Sequence, residues 1–137
     1  MGKSKRETAW KCFSKYIRVR DAVETTSTVT HARCITCGKV LHIEDMDAGH
    51  AIAGRGNAIL FVEELCHAQC RACNRFSNGR LQAFKAALIE SHGQAKWEEW
   101  EALKRTRVKF SDADYVQIAD KYREKTKELK EKRGVKD

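Results

Sequence analysis

Two pairs of cysteines have the spacing of a metal site. Each pair is a C-x2-C motif, and the residues concerned are Cys34 and Cys37, followed by Gly38, and Cys70 and Cys73. A C-x2-C turn brings its two thiolates together, and two such turns complete the tetrahedral sulfur shell that Zn²⁺ prefers. The glycine behind the first pair can adopt the positive φ that often closes such a turn. The sequence therefore predicts one structural zinc ion held by the four cysteines.

Other uses of the cysteines fit the sequence less well. A redox C-x2-C motif normally occurs once, at the start of a helix in a βαβ unit, whereas this motif occurs twice. We expect the two remaining cysteines, Cys12 and Cys66, to pack as small hydrophobic residues. His67 could replace a cysteine ligand, but a hydrogen-bonded structural histidine is the simpler interpretation.

A histidine between the cysteine pairs and an asparagine directly after the second pair are not needed by a structural zinc module. They are His50, at the end of the segment Asp47-Ala-Gly-His50, and Asn74. A one-metal nuclease uses a neutral imidazole to take a proton from water, and oxygen ligands to hold a hard cation on the scissile phosphate. We therefore predict that His50 is a general base and that Asn74 is a ligand of Mg²⁺ or Mn²⁺.

Four arginines flank the predicted catalytic residues and could bind DNA. Arg55, Arg71, Arg75 and Arg80 have the side chain that clamps a phosphate with two parallel hydrogen bonds. Solvated loop charges are the alternative for all four. The tryptophans at helical spacing are expected to belong to the core rather than to stack on bases.

The elements that must position these residues point to an α+β fold in a single domain, 1–137. We predict a basic N-terminal helix over 7–22, a zinc-bound ββα nuclease core over 32–92, and C-terminal helices over 94–133. Within the core, His50 is expected on a strand and Asn74 in the first turn of a helix that continues toward Ser91. An anion is favoured at such a helix N-terminus.

Composition favours a polyanionic partner and a reducing compartment. The chain has 137 residues, a formal net charge of +8 and a pI near 9.3. Basic residues that neutralise phosphates release condensed counterions, which favours nucleic acid, although acidic proteins and membrane surfaces are also attracted. No apolar segment is long enough to cross a bilayer and no signal peptide is evident, so we expect a cytoplasmic protein without a membrane partner.

The central motifs resemble the NinG/Rap recombination nucleases of lambdoid phages, which belong to the wider HNH or ββα-metal nucleases. The matching segments are Cys34-x2-Cys37-Gly38, Ala48-Gly49-His50, Phe61-x-Glu63, and His67-Ala68-Gln69-Cys70-x2-Cys73-Asn74, with weaker matches at Ala9-Trp10-Lys11 and Arg18-x-Arg20-Asp21-Ala22. The resemblance implies a junction-resolving endonuclease that cuts branched DNA, such as Holliday junctions and D-loops, during phage recombination. It also implies His50 as base, Asn74 as metal ligand and, for a phage-encoded protein, the host cytoplasm as location.

The sequence departs from the HNH pattern at two positions. Leu65 stands where the central asparagine is usual, and Gly49 stands where an acid or histidine often precedes the catalytic histidine. An acidic metal ligand must then come from elsewhere, and Asp47 is the first choice. Because residues 47 and 50 point to opposite faces of a regular strand, Asp47 would need a bulge at Gly49 to join His50. The rival acids are Asp45, Glu63 and Glu64, and Asn78 is a candidate for an additional ligand.

Three classes of function therefore compete. The first is a DNA endonuclease that requires Mg²⁺ or Mn²⁺, and a homodimer would suit symmetric cutting of a junction. The second is a non-catalytic zinc module that binds nucleic acid, which would have no use for His50 and Asn74. The third is a zinc domain that binds proteins. Cleavage of a four-way junction in the presence of Mg²⁺ separates the first class from the other two.

Overall fold

The computed structural model describes residues 4–54 and 56–133. These residues form five α-helices, which are α1 (Lys5–Thr26), α2 (Asn57–Leu60), α3 (Leu81–His92), α4 (Gln94–Leu103) and α5 (Asp112–Lys132). They also form four strands, which are β1 (His31–Arg33), β2 (Val40–His42), β3 (Met46–His50) and β4 (Cys66–Cys70). The fold is α+β, as predicted. Within the described ranges, no helix combines the length and apolar character needed to span a membrane.

The first helix is longer than the predicted range 7–22. It begins directly after Ser4, the N-cap residue. The side chain of Ser4 accepts a hydrogen bond from the backbone amide of Glu7, which would otherwise have no partner in the first turn. At the other end, the hydroxyls of Thr25 and Thr26 donate to carbonyl oxygens one turn back, so the polar segment continues the helix. The helix ends at Ser27, which has a φ of 60°. The predicted range ended at residue 22, before these polar threonines, and was therefore too short.

The C-terminal segment forms two helices, and the second packs along α1. The ring of Tyr122 on α5 lies 4.8 Å from the ring of Phe13 and 5.3 Å from that of Tyr16. A capping box between Ser111 and Asp114 starts α5, as the S-x-x-D pattern predicts. The helix predicted from residue 94 ends at Leu103, a few residues earlier than expected. Because α5 covers the aromatic face of α1, it belongs to the core of the fold.

Each of the two sheets is a pair of antiparallel strands, and the β3–β4 pair is central to the site. Its register is regular, from Met46 opposite Cys70 to His50 opposite Cys66. One face packs on α1 through Ala48 and Cys66, beside Phe13. A separate cluster holds Trp97 and Trp100 with residues of α3, so these tryptophans are core residues, as expected. Strand β3 has a free edge, because the sheet contains only β3 and β4 in the described residues.

The helix predicted to run from Cys73 to Ser91 is broken. A π-helical turn covers Ala72–Phe76, a 3-10 turn covers Asn78–Arg80, and α3 begins only at Leu81. The break has positive φ values at Asn78 (51°), Gly79 (75°) and Arg80 (46°), which a continuous helix cannot contain. Asn78 is therefore not one helical turn beyond Asn74, and the expectation that it joins the same helical face is wrong.

Candidate metal and nucleic-acid site

The four cysteines of the two C-x2-C turns form one compact cluster. Their sulfur atoms all lie within 4.8 Å of one another. The distance between the sulfurs of Cys37 and Cys70 is 3.7 Å, and Zn–S bonds of about 2.3 Å in a tetrahedron give an S···S edge of about 3.8 Å. Gly38 closes the first turn with a φ of 79°, and its amide donates to the carbonyl of Cys34. The cluster can therefore hold one tetrahedral metal ion.

The environment of the thiols fits a cation at the centre of this cluster. Burial and the adjacent sulfurs raise the pKa of Cys70 to about 12. Burial acts in the same direction on Cys34, but hydrogen bonds from Thr36 and from backbone amides outweigh it and lower the pKa of Cys34 to about 6. Without a bound cation, burial and the crowding of the sulfurs therefore oppose the ionisation of all four thiols together. A bound divalent cation deprotonates a coordinating thiol outright.

The residues left outside the cluster have structural roles. Cys66 is fully buried and Cys12 is partly buried, both in contact with the aromatic cluster of α1 and α5. His67 bonds to the carboxylate of Asp21, with 3.0 Å between its Nδ1 and Oδ2. The same carboxylate accepts from the amide of Ala68 at 2.7 Å. The interpretation of His67 as a hydrogen-bonded structural histidine agrees with these contacts.

Arg20 holds the turn that contains Leu65. Its guanidinium donates to the carbonyl oxygens of Glu63 and Cys66 at 2.9 Å and 2.6 Å. Leu65 itself is 1% exposed and packs in the cluster of α3 and α4. An asparagine is therefore not required to fix this turn, because an arginine from α1 bonds to its backbone. Asp21 pairs with Arg20 at 3.0 Å and so ties both β4 and the turn to α1.

Asp47 and Asn74 meet beside the second cysteine turn. The side-chain nitrogen of Asn74 donates to Oδ2 of Asp47 at 3.0 Å. Arg75 binds the same carboxylate with two hydrogen bonds of 2.9 Å. Burial raises the pKa of Asp47, but the hydrogen bonds from Arg75 and Asn74 outweigh it and hold the pKa below its usual range. Asp47 is therefore held as an anion, and the Asn74 amide turns its nitrogen, not its oxygen, toward that carboxylate.

His50 lies on the opposite face of β3 from Asp47. The regular register leaves no room for the bulge at Gly49 that the sequence argument required, so that expectation is wrong. The Nε2 atom of His50 is 3.1 Å from the carbonyl oxygen of Leu60. Since a carbonyl only accepts, Nε2 carries the proton and Nδ1 carries the lone pair. The ring stacks on Trp10 of α1, with 5.1 Å between centroids.

An open groove of about 540 Å³ runs along the free edge of β3. Three consecutive strand residues, Met46, Asp47 and Ala48, line it, so it is reached from both faces of the strand. The other lining residues are Trp10, Lys11, Ser14, Arg18, Glu44, Arg71, Asn74 and Arg75. The groove therefore joins the Asp47–Asn74 pair to the tryptophan that stacks on His50, and most of its charged lining is basic.

A second groove continues along the basic face of α1. It measures about 810 Å³, and it lies between α1 and α5. Lys11, Arg18 and Glu44 line both grooves, while Arg123 and Lys127 contribute from α5. The volume of this groove exceeds that of the first, but its lining contains none of the candidate catalytic side chains. It is a candidate surface for a polyanion rather than for chemistry.

The predicted arginines are placed differently from one another. Arg75 and Arg71 face Asp47, at 2.9 Å and 3.9 Å, so these guanidinium groups neutralise an acid in the absence of a phosphate. Arg80 is exposed at the start of α3. Arg55 lies outside the described residues. Next to Arg75, Phe76 is 83% exposed on the π-helical turn.

Sequence reasoning did not assign a role to Gln69, which is fully buried beside the Asp47–Asn74 pair. It is the cross-strand partner of Asp47. A β-carbon at Gly49 would lie 2.0 Å from Oε1 of Gln69 and 3.1 Å from Oδ1 of Asn74. The glutamine thus fills the position that a side chain at residue 49 would occupy. Nothing in the sequence next to Cys70 indicates that this glutamine is buried.

Comparison with known proteins places most of the chain in one family. The family model described as "NinG: Bacteriophage Lambda NinG protein" matches residues 3–132. No curated protein and no solved structure shows significant similarity to the chain. The match covers both cysteine turns and the whole of α1 and α5.

Proposed function

The chain belongs to the NinG family, and from that premise we propose that it is a metal-dependent endonuclease that cuts branched DNA. The proposed substrates are Holliday junctions and D-loops, and the proposed setting is phage recombination in the host cytoplasm. The observation that carries the proposal is the contact between Asp47 and Asn74 at 3.0 Å, at the edge of a groove lined by basic residues. A purely structural zinc module would not require a carboxylate and an amide oxygen at that place.

Zinc at the four-cysteine cluster would have a structural role. Cys70 ends β4, which pairs with the strand that carries Asp47, and Cys73 directly precedes Asn74. The cluster therefore fixes both chain segments that supply the oxygen donors. Binding a structural zinc supplies on the order of 10 kcal/mol in small modules, and sheets of two short strands benefit from such a contribution. All four positions are occupied by sulfur, so none remains for a substrate.

Asp47 and Asn74 would hold Mg²⁺ or Mn²⁺. Hard divalent cations take carboxylate and amide oxygens as ligands, and these residues offer both. When bound there, the cation would stabilise negative charge on the phosphate and on the leaving oxygen. Arg75 already pairs with Asp47, and its side chain is half exposed. It can therefore leave the carboxylate for a DNA phosphate when a cation enters.

His50 would act as the general base from the other face of β3. The Leu60 carbonyl fixes the tautomer with the lone pair on Nδ1. In hydrolysis, that nitrogen takes a proton from water as the water oxygen bonds to phosphorus, and the bond to the leaving sugar oxygen breaks with protonation by solvent. The groove reaches Ala48 and Trp10, which stacks on His50, but His50 does not line it. In this proposal, a DNA strand bound at Asp47 must therefore extend past Ala48 to Nδ1 of His50.

The two grooves provide a surface for the DNA backbone. Lys11 and Arg18 line both, so a strand bound at Asp47 can continue along α1 toward Lys127 of α5. Contacts of this kind read backbone geometry rather than base sequence. Such a surface suits an enzyme that selects a branched shape. Symmetric cleavage of a junction would suit a homodimer.

The decisive experiment compares wild type with His50→Ala on a labelled four-way junction. We expect wild type to nick the junction when Mg²⁺ is added, and the variant to bind it with similar affinity but without cleavage. His92→Ala is the matched control, because His92 is exposed at the end of α3 and contacts Trp100 rather than β3. Persistent binding by wild type without nicks would instead identify a non-catalytic zinc module that binds nucleic acid.

A further inference from the structure

The side-chain nitrogen of Gln69 has hydrogen-bond partners, whereas its side-chain oxygen, Oε1, has none in the described residues. Its side-chain nitrogen donates to the carbonyl of Gly79 at 2.7 Å and to Thr36 at 3.1 Å. Since a backbone carbonyl only accepts, the nitrogen must face Gly79, which fixes the direction of Oε1. That oxygen is buried, and no group in the described part of the chain donates to it. Buried polar atoms are normally satisfied, so this one indicates a ligand or a bound water.

The unsatisfied oxygen points at the proposed cation ligands. A β-carbon built on Gly49 would lie 2.0 Å from Oε1 of Gln69 and 3.1 Å from Oδ1 of Asn74, so both oxygens border the same small region. The nitrogen of Asn74 is bound to Asp47, which directs the Asn74 oxygen toward this region. Asp47 is directly opposite Gln69 in the sheet. The amide oxygens of Gln69 and Asn74 therefore border one region, next to the Asp47 carboxylate that holds the Asn74 nitrogen.

Two amide oxygens that face one region repel each other unless a positive or hydrogen-donating group lies between them. A water molecule would satisfy them, and so would a cation. The neighbouring carboxylate of Asp47 favours the cation, because carboxylate and amide oxygens together are the usual ligands of a hard divalent ion. One carboxylate and two neutral amides would also leave a net positive charge on the bound ion, which suits contact with a phosphate.

We propose that Oε1 of Gln69 is a third protein ligand of the divalent cation, together with Asp47 and Asn74. This inference rests on the proposed function, since it deepens the assignment of the same site. Gly49 is then required because any larger residue would displace the glutamine from that position. Thr36 lies between the first two cysteines and bonds to the Gln69 nitrogen, so the zinc turn holds the glutamine in place.

Nuclear magnetic resonance of the zinc-loaded, ¹⁵N-labelled protein tests the proposal directly. Mg²⁺ is added to wild type while the side-chain amide signals of Asn74 and Gln69 are followed, with the Gln69 signal assigned by its loss in Gln69→Met. We expect both signals to shift along one saturation curve and both to broaden with Mn²⁺. A shift of Asn74 alone would overturn the role of Gln69 and indicate a bound water. If neither signal moves, the proposed cation site itself is wrong.

Metal affinity gives a second test with a matched control. Mn²⁺ binding is measured by electron paramagnetic resonance for wild type, Gln69→Met and Gln82→Met, after zinc content and thermal unfolding show that each is folded. We expect Gln69→Met to weaken binding roughly tenfold or more. Gln82→Met makes the same substitution at an exposed position of α3, so it should leave the affinity unchanged. Unchanged Mn²⁺ affinity in folded Gln69→Met would refute the proposal.

Discussion

Replacing Gly49 with alanine should lower the stability of the fold and disturb the proposed cation site. The added β-carbon would lie 2.0 Å from Oε1 of Gln69, whereas an ordinary non-bonded contact is about 3.5 Å. One of the groups must therefore move by about 1.5 Å. The glutamine is fully buried and its nitrogen is bound to Gly79 and Thr36, so it cannot swing away without loss of those hydrogen bonds.

Two separate estimates of the loss in unfolding free energy caused by Gly49→Ala give the same range. Over-packing a filled interior costs about 1–3 kcal/mol. Breaking the two hydrogen bonds of the Gln69 nitrogen instead costs about 0.5–1.5 kcal/mol each. Since each kcal/mol corresponds to roughly 3–5 °C in a chain of this size, the expected fall in Tm is about 3–15 °C. Under the proposed assignment Mg²⁺ binding should weaken as well, because Oε1 of the displaced Gln69 no longer borders the same region as Oδ1 of Asn74.

Thermal unfolding and Mg²⁺ titration of zinc-loaded protein measure both effects. Gly56→Ala is the matched control, because Gly56 has a φ of −67° and a β-carbon there meets no atom within 4 Å. Its stability should stay within about 0.5 kcal/mol of wild type. The cost of Gly49→Ala should also shrink when Gln69→Ala is present, because the two residues share one space. Equal melting temperatures for the Gly49 and Gly56 variants would refute this packing argument.

Four further outcomes follow from the described contacts. Cys37→Ser should abolish stoichiometric zinc binding, measured by metal analysis. It should also lower the free energy of unfolding by a large part of the roughly 10 kcal/mol that such an ion supplies. A stable, metal-free variant would contradict the structural role of the cluster. Asp21→Ala should cost about 3–5 kcal/mol in urea unfolding, because it leaves the largely buried guanidinium of Arg20 without its acid. Asp120→Ala removes an exposed ion pair and should cost less than about 0.5 kcal/mol. Burial raises the pKa of Asp21, but hydrogen bonding and charge interaction with His67 and its other partners outweigh this and hold the pKa below its usual range. The stabilising contribution of Asp21 is therefore complete above the unfolded pKa of about 3.9 and is lost as pH falls through the folded pKa. Wild type should thus lose more stability in acid than Asp21→Asn. Arg75→Gln should tighten Mg²⁺ binding, measured by titration calorimetry, because the guanidinium competes for Asp47; weaker binding would instead make the arginine part of the cation site.

The cysteine cluster was predictable because its signal is local and chemically narrow. Two C-x2-C turns impose nearly the same geometry in any fold, and Gly38 has the positive φ that the sequence indicates. The α+β class and the capping box of α5 were predictable for a similar reason. Short motifs with one dominant backbone conformation can be recognised without knowledge of their surroundings.

The details of the oxygen-donor site depended on tertiary contacts that no local pattern encodes. Asp47 was the first choice among several acids, although it needed a bulge at Gly49 to join His50. That bulge is absent, and Asn74 instead contacts Asp47 on the acid's own face of the strand. The break after Phe76 was missed because helical periodicity outweighed the Asn78-Gly79 pair. Gln69 was missed because a glutamine beside a cysteine has no sequence signal of its own.

The pleat of β3 has a consequence for how the molecule would work. Asp47 and His50 project from opposite sides of one short, regularly paired strand. Its partner strand, β4, is bonded to α1 through Ala68 and Asp21, and it ends at Cys70 of the cysteine cluster. The separation of Asp47 and His50 is thus set by covalent geometry and cannot be altered by loop closure. Under the proposed function, β3 would therefore stay rigid, and movement of the exposed Arg75 side chain and bending of the DNA would have to bring the phosphate to both groups.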